Sequence, residues 1–309
     1  MSVRFIGYLG AALLGWVTFG QPAAAEVTVP ERVRTTRLYL GKLLFFEPAL
    51  SGNGKRSCAS CHRPAKAFTD QRATARAFRL TENLALNTPT LLNAAPQTQF
   101  FHDGRAASLA AVTAAVVAHP RELNCSYDTI VARLQTSPGY DSLFRAAFGE
   151  TISAATLNQA LTAYVPPRTP TAPPFDAAQR GGPALEPAAL AGWQLFQGEA
   201  GCTGCHGGLY FRDDRRHEVA PGVRRRTPTL RNVALTPPYR ADGSAPTVSA
   251  ALTDEFHRAQ QPRALTEAEV TALTQFLATL TDTTSADLST PTTLPWMPHW
   301  VDRRVGGQY

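Results

Sequence analysis

Between positions 31 and 50, charged residues alternate with an apolar face of Val33, Leu38, Leu40, Leu43, Leu44 and Phe45. That repeat predicts an amphipathic helix, and it stops before Pro48. Ser51-Gly52-Asn53-Gly54 follows as a loop, and residues 63–86 carry no clear period. Helical patterning returns over about 107–118, 127–135, 139–148, 153–164, 186–197, 248–259 and 266–280. Thr266 and Glu269 form a capping box for the last of these. No convincing run of alternating strand residues appears, so the class is mainly α. Six prolines and Gly181-Gly182 between Pro166 and Pro183 read as an interdomain linker. The tail after Leu280 is rich in Thr, Ser and Pro, carries Trp296 and Trp300, and either wraps the surface or is mobile.

The pattern is also duplicated. Thr88-Pro89-Thr90-Leu91-Leu92-Asn93 returns 139 positions later as Thr227-Pro228-Thr229-Leu230-Arg231-Asn232. Asp103-Gly104 returns at the same offset as Asp242-Gly243. An ordered set of this kind predicts two related domains, at 26–165 and 184–281, joined by a linker at 166–183 and followed by a tail at 282–309.

Each half carries the same short motif. Cys58-Ala59-Ser60-Cys61-His62 and Cys202-Thr203-Gly204-Cys205-His206 both read C-x-x-C-H, the attachment signature of haem c. Two thiols at this spacing form thioethers to one haem, and the adjoining histidine binds its iron. The competing readings are a four-cysteine zinc site or a C-x-x-C redox pair. Zinc needs no histidine there, and the two pairs lie 144 positions apart. Cys125 is left without a partner, so no structural disulfide is expected.

Composition adds an address. Arg4, the apolar stretch from Phe5 to Phe19 and Ala23-Ala24-Ala25 resemble a cleaved secretory leader over 1–25, with an uncleaved membrane anchor as the alternative. Export to the periplasm fits haem c, which is attached outside the bacterial cytoplasm in most systems. The net charge of +6 in 309 residues comes mostly from arginine, and a basic face would steer an acidic electron-donor protein. The arginines are dispersed and the chain reads as exported, so nucleic acid is not expected as a partner.

Several stretches together resemble the bacterial di-haem cytochrome c peroxidases and their MauG-like relatives. They are Leu43-Leu44-Phe45-Phe46, the first haem motif, Ala67-Phe68-Thr69-Asp70, Asn87 to Asn93, Phe101 to Ala106, Trp193 to Phe196, the second haem motif with Gly207-Gly208, and Thr227 to Val233. The resemblance covers roughly residues 38–281. It implies two covalent haems c: the first where hydrogen peroxide is bound and cleaved, the second fed by a small donor protein, a cytochrome c or a cupredoxin. It also implies a calcium ion between the domains, held by Asn87 and the carbonyls of Thr236 and Pro238, all oxygen donors. Members of the family often form homodimers, and no feature of this sequence decides that.

The resemblance assigns roles residue by residue. Cys58, Cys61, Cys202 and Cys205 attach the haems; His62 and His206 are the proximal iron ligands. Residues 63–86 contain no histidine, so the first haem is expected to be open on its distal side. Glu122 occupies the position of the group that moves the peroxide proton. Val112 stands where a glutamine usually lines that pocket. Arg105 is either a haem-propionate partner or a cap of local structure. His102 replaces a tryptophan relay between the haems and either carries electrons or bonds a propionate or the backbone. His257 is the first candidate for the sixth ligand of the second haem, with Met297 and His299 in reserve; His217 reads as a propionate partner. The implied activity is peroxide reduction with electrons from the donor protein. The alternatives are MauG-like oxidation of a partner protein's side chains and a non-catalytic di-haem electron carrier.

Overall fold

A computed structural model describes residues 31–165, 173–282 and 289–308. The leader, residues 166–172 of the linker and residues 283–288 of the tail lie outside the described residues. In the first half, α1 (Glu31–Phe45) is followed by α2 (Leu109–Ala118), α3 (Tyr127–Leu134), α4 (Pro138–Phe148) and α5 (Ala154–Tyr164). Ser108, Ser126, Ser137 and Ser153 set the starts of α2 to α5. Each side-chain oxygen accepts a backbone N–H from the first turn, which satisfies a donor the helix cannot. The second half holds α6 (Pro174–Gln179), α7 (Pro187–Gln197), β1 (Arg216–Ala220), β2 (Val223–Arg226), α8 (Val248–Leu252), α9 (Glu255–Gln260) and α10 (Glu267–Ala278).

The duplication is structural. α1 packs on α5 at Gly41, where a Cβ would lie 2.2 Å from the Ala160 carbonyl oxygen. α7 packs on α10 at Gly192, where a Cβ would lie 2.0 Å from the Ala272 carbonyl oxygen. Only glycine lets the backbones approach so closely. Phe100 bridges Ala106, and Tyr239 bridges Ala245, at the offset seen in the sequence. Asn93 and Asn232 both take left-handed backbone conformations. Thr90 donates to the Ala67 carbonyl and Thr229 to the Tyr210 carbonyl, each at 2.6 Å. The mainly α class and the two cytochrome c-like halves hold.

Each half has its own core. Leu40, Leu44, Ile130, Leu134, Tyr140, Phe144 and Leu157 are fully buried in the first. Phe175, Phe196, Phe211, Leu273, Phe276 and Leu280 build the second, with rings meeting edge to face. A third cluster of Phe45, Phe46, Phe68, Leu92 and Tyr164 lies against Ala59 and Cys58 of the first haem motif.

Four expectations are corrected. The 248–259 pattern divides into α8 and α9, because Asp254 accepts the His257 N–H and starts a new helix. A two-stranded hairpin, β1–β2, stands where no strand is read. Within the proline-rich stretch, Pro174 opens α6, and Phe175 joins the second core; proline at a first helical position loses no bond the helix would make. The described part of the tail packs into the protein rather than only lying over its surface. Met297 is fully buried in the first core, and the Gly306 carbonyl accepts the hydroxyls of Ser57 and Ser60 in the first haem motif. No described helix is long and apolar enough to cross a membrane.

Candidate functional site

Both C-x-x-C-H stretches fold into the same turn. The Cys58 carbonyl accepts the N–H of Cys61 and of His62, and the Cys202 carbonyl accepts those of Cys205 and His206. In each half the imidazole donates its Nδ1–H to a backbone carbonyl: His62 to Phe68 at 3.0 Å, His206 to Phe211 at 3.1 Å. That bond fixes the ring and leaves Nε2 as a ligand atom. Burial lowers the pKa of His62 and pushes that of His206 down to about 4, the latter helped by the charges of His257 and His217. Both rings are therefore neutral and able to bind a metal.

The thiols weigh against the rival readings. Burial pushes Cys58 up to about 12, and Cys61 and Cys202 up to about 11. A C-x-x-C redox pair works through a lowered thiol pKa, the opposite of what is found. Among the described residues the four motif cysteines do not converge, so they form no common zinc site. The metal-type cluster found there is Cys205, Asp213 and His217.

A buried guanidinium accompanies each motif. Arg56, 3% exposed, donates from Nη2 to Cys61 Sγ at 3.2 Å and to the Arg76 carbonyl at 2.9 Å, while its Nη1 is buried without a partner. Arg212 follows Phe211; it pairs with Asp214 at 2.6 Å and its Nη1 is likewise buried and unpartnered. An orphaned buried cationic donor is costly unless an anion completes it. A haem brings two propionates, which fits the buried Arg212 donor; Arg56, on Cys61 Sγ, belongs to the opposite, thioether edge. Neither arginine stands out in the sequence; only their burial marks them.

On the other side of the first motif, the 119–122 turn follows α2. The Glu122 N–H donates to the His119 carbonyl, and its carboxylate lies 3.6 Å from His119 Nδ1. Burial raises the Glu122 pKa, and His119, Arg105 and Arg56 pull it back. Its charge adds a little to the burial that raises Cys58 and Cys61, so the carboxylate lies within electrostatic reach of the first haem motif. Val112 is half-buried on α2. Arg105 is engaged locally: it holds both oxygens of Asp103 and lies over the Phe101 ring at 3.6 Å.

The junction of the halves runs through His102. Its Nε2 donates to the Asn87 carbonyl at 2.9 Å, and its own carbonyl accepts the Arg226 N–H at 2.9 Å. Burial holds its pKa below the usual imidazole range. Of the two readings, the backbone hydrogen bond is what the structure contains. Asn87 also donates its N–H to Ala241 and its Nδ2 to the Arg72 carbonyl. Gln71 reaches the Leu235 carbonyl, next to Thr236, and a cis bond joins Pro237 to Pro238.

In the second half, His257 on α9 bonds Asp254 through Nδ1 at 3.2 Å, and Arg240 fixes that carboxylate at 2.6 Å. The His257 charge contributes to lowering the His206 pKa, so the two imidazoles are within electrostatic reach. Met297 is removed as a ligand of the second haem by its burial in the first core, and His299 is exposed on the same returning tail. His217 bonds Asp213 at 2.7 Å and lies 4.0 Å from Cys205 Sγ; its carboxylate partner is thus a side chain of this chain.

Comparison with known proteins agrees with this geometry. Residues 35–183 match the family described as di-haem cytochrome c peroxidase, and residues 189–281 match cytochrome c. The methylamine utilization protein MauG of Methylorubrum extorquens is 34% identical over 90% of this chain and 84% of its own length. The cytochrome c551 peroxidase of Nitrosomonas europaea is 30% identical over 78% of this chain and 79% of its own. A crystal structure of a MauG-like protein associated with microbial copper homeostasis superposes with a TM-score of 0.72 at 27% identity, covering 83% of this chain and 91% of that one.

Proposed function

The chain belongs to the di-haem cytochrome c peroxidase and MauG family, and from that premise we propose that it reduces hydrogen peroxide in the periplasm with electrons from a small donor protein. It is a haem peroxidase of the cytochrome c type with haem c as cofactor. The observation that carries the reading is Glu122, a largely buried carboxylate of raised pKa within electrostatic reach of a haem motif whose following loop, 63–86, has no histidine.

Cys58, Cys61 and His62 hold one haem, and Cys202, Cys205 and His206 the other. When bound, the first supplies an iron that takes up peroxide and the second an electron store. Glu122 accepts the proton from one peroxide oxygen and returns it to the other, which departs as water. Two electrons and two further protons complete the reduction to two waters. Arg212 would receive a propionate of the second haem, as guanidinium matches a carboxylate, and Arg56 would place a positive charge beside the Cys61 thioether. Arg105 limits how far the Glu122 pKa rises, and Val112 leaves peroxide positioning to fewer polar groups. His102 holds the two halves in register. His257, its Nδ1 bonded to Asp254, would be a further ligand to the iron of the second haem. Asn87 and the carbonyls of Thr236 and Pro238 would hold a calcium ion at the junction.

The second reading, oxidation of a partner protein's side chains, is favoured by the same histidine-free loop and by the 34% identity to a MauG protein. Electron paramagnetic resonance of the haem-loaded protein, before and after one equivalent of peroxide, tests both against a plain electron carrier. One high-spin and one low-spin ferric signal, with the high-spin signal lost on addition, is the expected result. Two low-spin signals indifferent to peroxide would leave the carrier. Turnover with a reduced donor protein then separates peroxide reduction from protein oxidation.

A further inference from the structure

The hairpin β1–β2 is built against its own stability. Arg216 lies directly opposite Arg226, and His217 opposite Arg225; only Glu218 opposite Arg224 is complementary. Like charges facing across strands are destabilising, and an isolated two-stranded hairpin is marginal in water. It persists because its base is bonded to the rest of the protein. The Arg226 N–H donates to the His102 carbonyl and Arg226 Nε to the Phe101 carbonyl at 2.7 Å, while the Thr227 N–H closes the base on the Arg215 carbonyl.

From 212 to 226 the chain has six arginines against three acids. The acids are already engaged: Asp213 with His217, Asp214 with Arg212, and Glu218 with the Gly222 N–H. Among the described residues no carboxylate pairs with Arg215, Arg216, Arg224 or Arg225. Two of these are held out on backbone carbonyls instead, Arg224 on Arg216 and Arg225 on Arg224. Arg215, Arg216 and Arg224 are exposed. The hairpin also abuts the second haem motif through His217, 4.0 Å from Cys205 Sγ. Leu209, three residues beyond His206, is 56% exposed, and Val223 at the hairpin turn is exposed as well.

We propose that this arginine hairpin is the docking surface for an acidic electron-transfer protein, which delivers electrons at the edge of the second haem. Uncompensated guanidinia attract a carboxylate-rich surface and speed its approach. The rigid base holds that surface beside the thioether of Cys205, and Leu209 and Val223 supply the apolar contact. This rests on the peroxidase reading, which requires a partner protein to supply electrons at the second haem.

The test uses haem-loaded protein and a reduced acidic cupredoxin as probe, with a basic cupredoxin for comparison. The variant is the pair Arg215→Glu and Arg224→Glu, and Arg226, which bonds His102, is left intact. The rate constant for reduction by the acidic cupredoxin should fall about tenfold or more at low salt, and its dependence on ionic strength should vanish. The milder pair Arg215→Gln and Arg224→Gln should give a smaller loss in the same direction. Reduction of the second haem by a neutral phenylenediamine, and its spectrum, report whether the fold survives. An unchanged rate with the acidic probe, or an equal loss with the basic one, overturns the proposal. So does binding to anionic lipid vesicles that the charge reversal abolishes while the cupredoxin rate stays the same. Peroxide consumption driven by the phenylenediamine reports the peroxidase reading separately, since it needs no docked protein.

Discussion

Arg303 donates from Nε to both oxygens of Glu47, at 2.7 and 3.0 Å, across 256 positions of chain. Glu47 is fully buried and also accepts the Tyr140 hydroxyl at 2.8 Å. This ties the returning tail to the end of α1. Removing one partner strands a buried charge, which costs on the order of 3 kcal/mol or more. Arg303→Ala should therefore lower the stability of the first half by about that amount, read from urea unfolding followed at the first haem. A loss below about 1 kcal/mol would mean that the tail is only an accessory.

Glu122→Gln keeps the shape and removes the proton carrier. The reaction of the first haem with peroxide should slow by about a hundredfold or more in stopped-flow measurements, with the ferric spectrum unchanged. In the unmodified protein the active form is the carboxylate, so the rate falls as pH drops through the Glu122 pKa. Burial raises that pKa, so the acid limb should lie above the ordinary value of 4.5. An acid limb that persists in Glu122→Gln would assign the proton transfer to another group.

Arg56→Gln removes a positive charge beside Cys61 while keeping a hydrogen-bond donor. A nearby cation favours the reduced, less positive haem, so its loss should lower the midpoint potential of the first haem. A unit charge roughly 8 Å away at an effective dielectric of about 40 contributes about 1 kcal/mol, on the order of 50 mV. Spectropotentiometric titration reads this directly. A potential that does not move would mean that the Arg56 charge is not felt at the first haem.

The two glycine crossings make independent tests of the two halves. A methyl group at Gly41 or Gly192 meets a backbone carbonyl, which has no rotamer by which to yield. Each change to alanine should cost about 1–3 kcal/mol or more, because the helices must separate. Gly41→Ala should weaken the first haem's environment and Gly192→Ala the second's, seen as separate shifts in the two haem spectra. A Gly192→Ala protein disturbed mainly at the first haem would contradict the division into halves.

The helices were legible because their starts carry local chemistry. Ser108, Ser126, Ser137, Ser153 and Thr266 mark first turns, and the apolar period does the rest. The duplication was legible because Thr88 and Thr227 open segments with the same hydrogen-bond scheme. What escaped depends on contacts distant in sequence. β1 and β2 are short and arginine-rich, and they hold together through His102 and Phe101, more than 110 positions away. Met297 looked like an available ligand until the tail was seen to return to the first core. Arg56 reads as one more surface cation, since nothing near it in sequence announces its burial.

The sixth ligand of the second haem can be separated from its neighbours by exchange of single histidines. His257 spends Nδ1 on Asp254, which Arg240 holds in place, so its Nε2 is the atom free for iron. A carboxylate behind a ligand imidazole orients the ring and raises its basicity. His217 has the opposite arrangement, with Nε2 on Asp213 and Nδ1 toward Cys205 Sγ. His257→Ala should thus convert the second haem from low-spin to high-spin in the ferric paramagnetic resonance spectrum. His217→Ala should leave it low-spin, and Asp254→Asn should keep the ligand but lower the stability of the ferric form. A low-spin signal that survives His257→Ala would transfer the assignment to another side chain and leave the α9 histidine as a charge that only tunes His206.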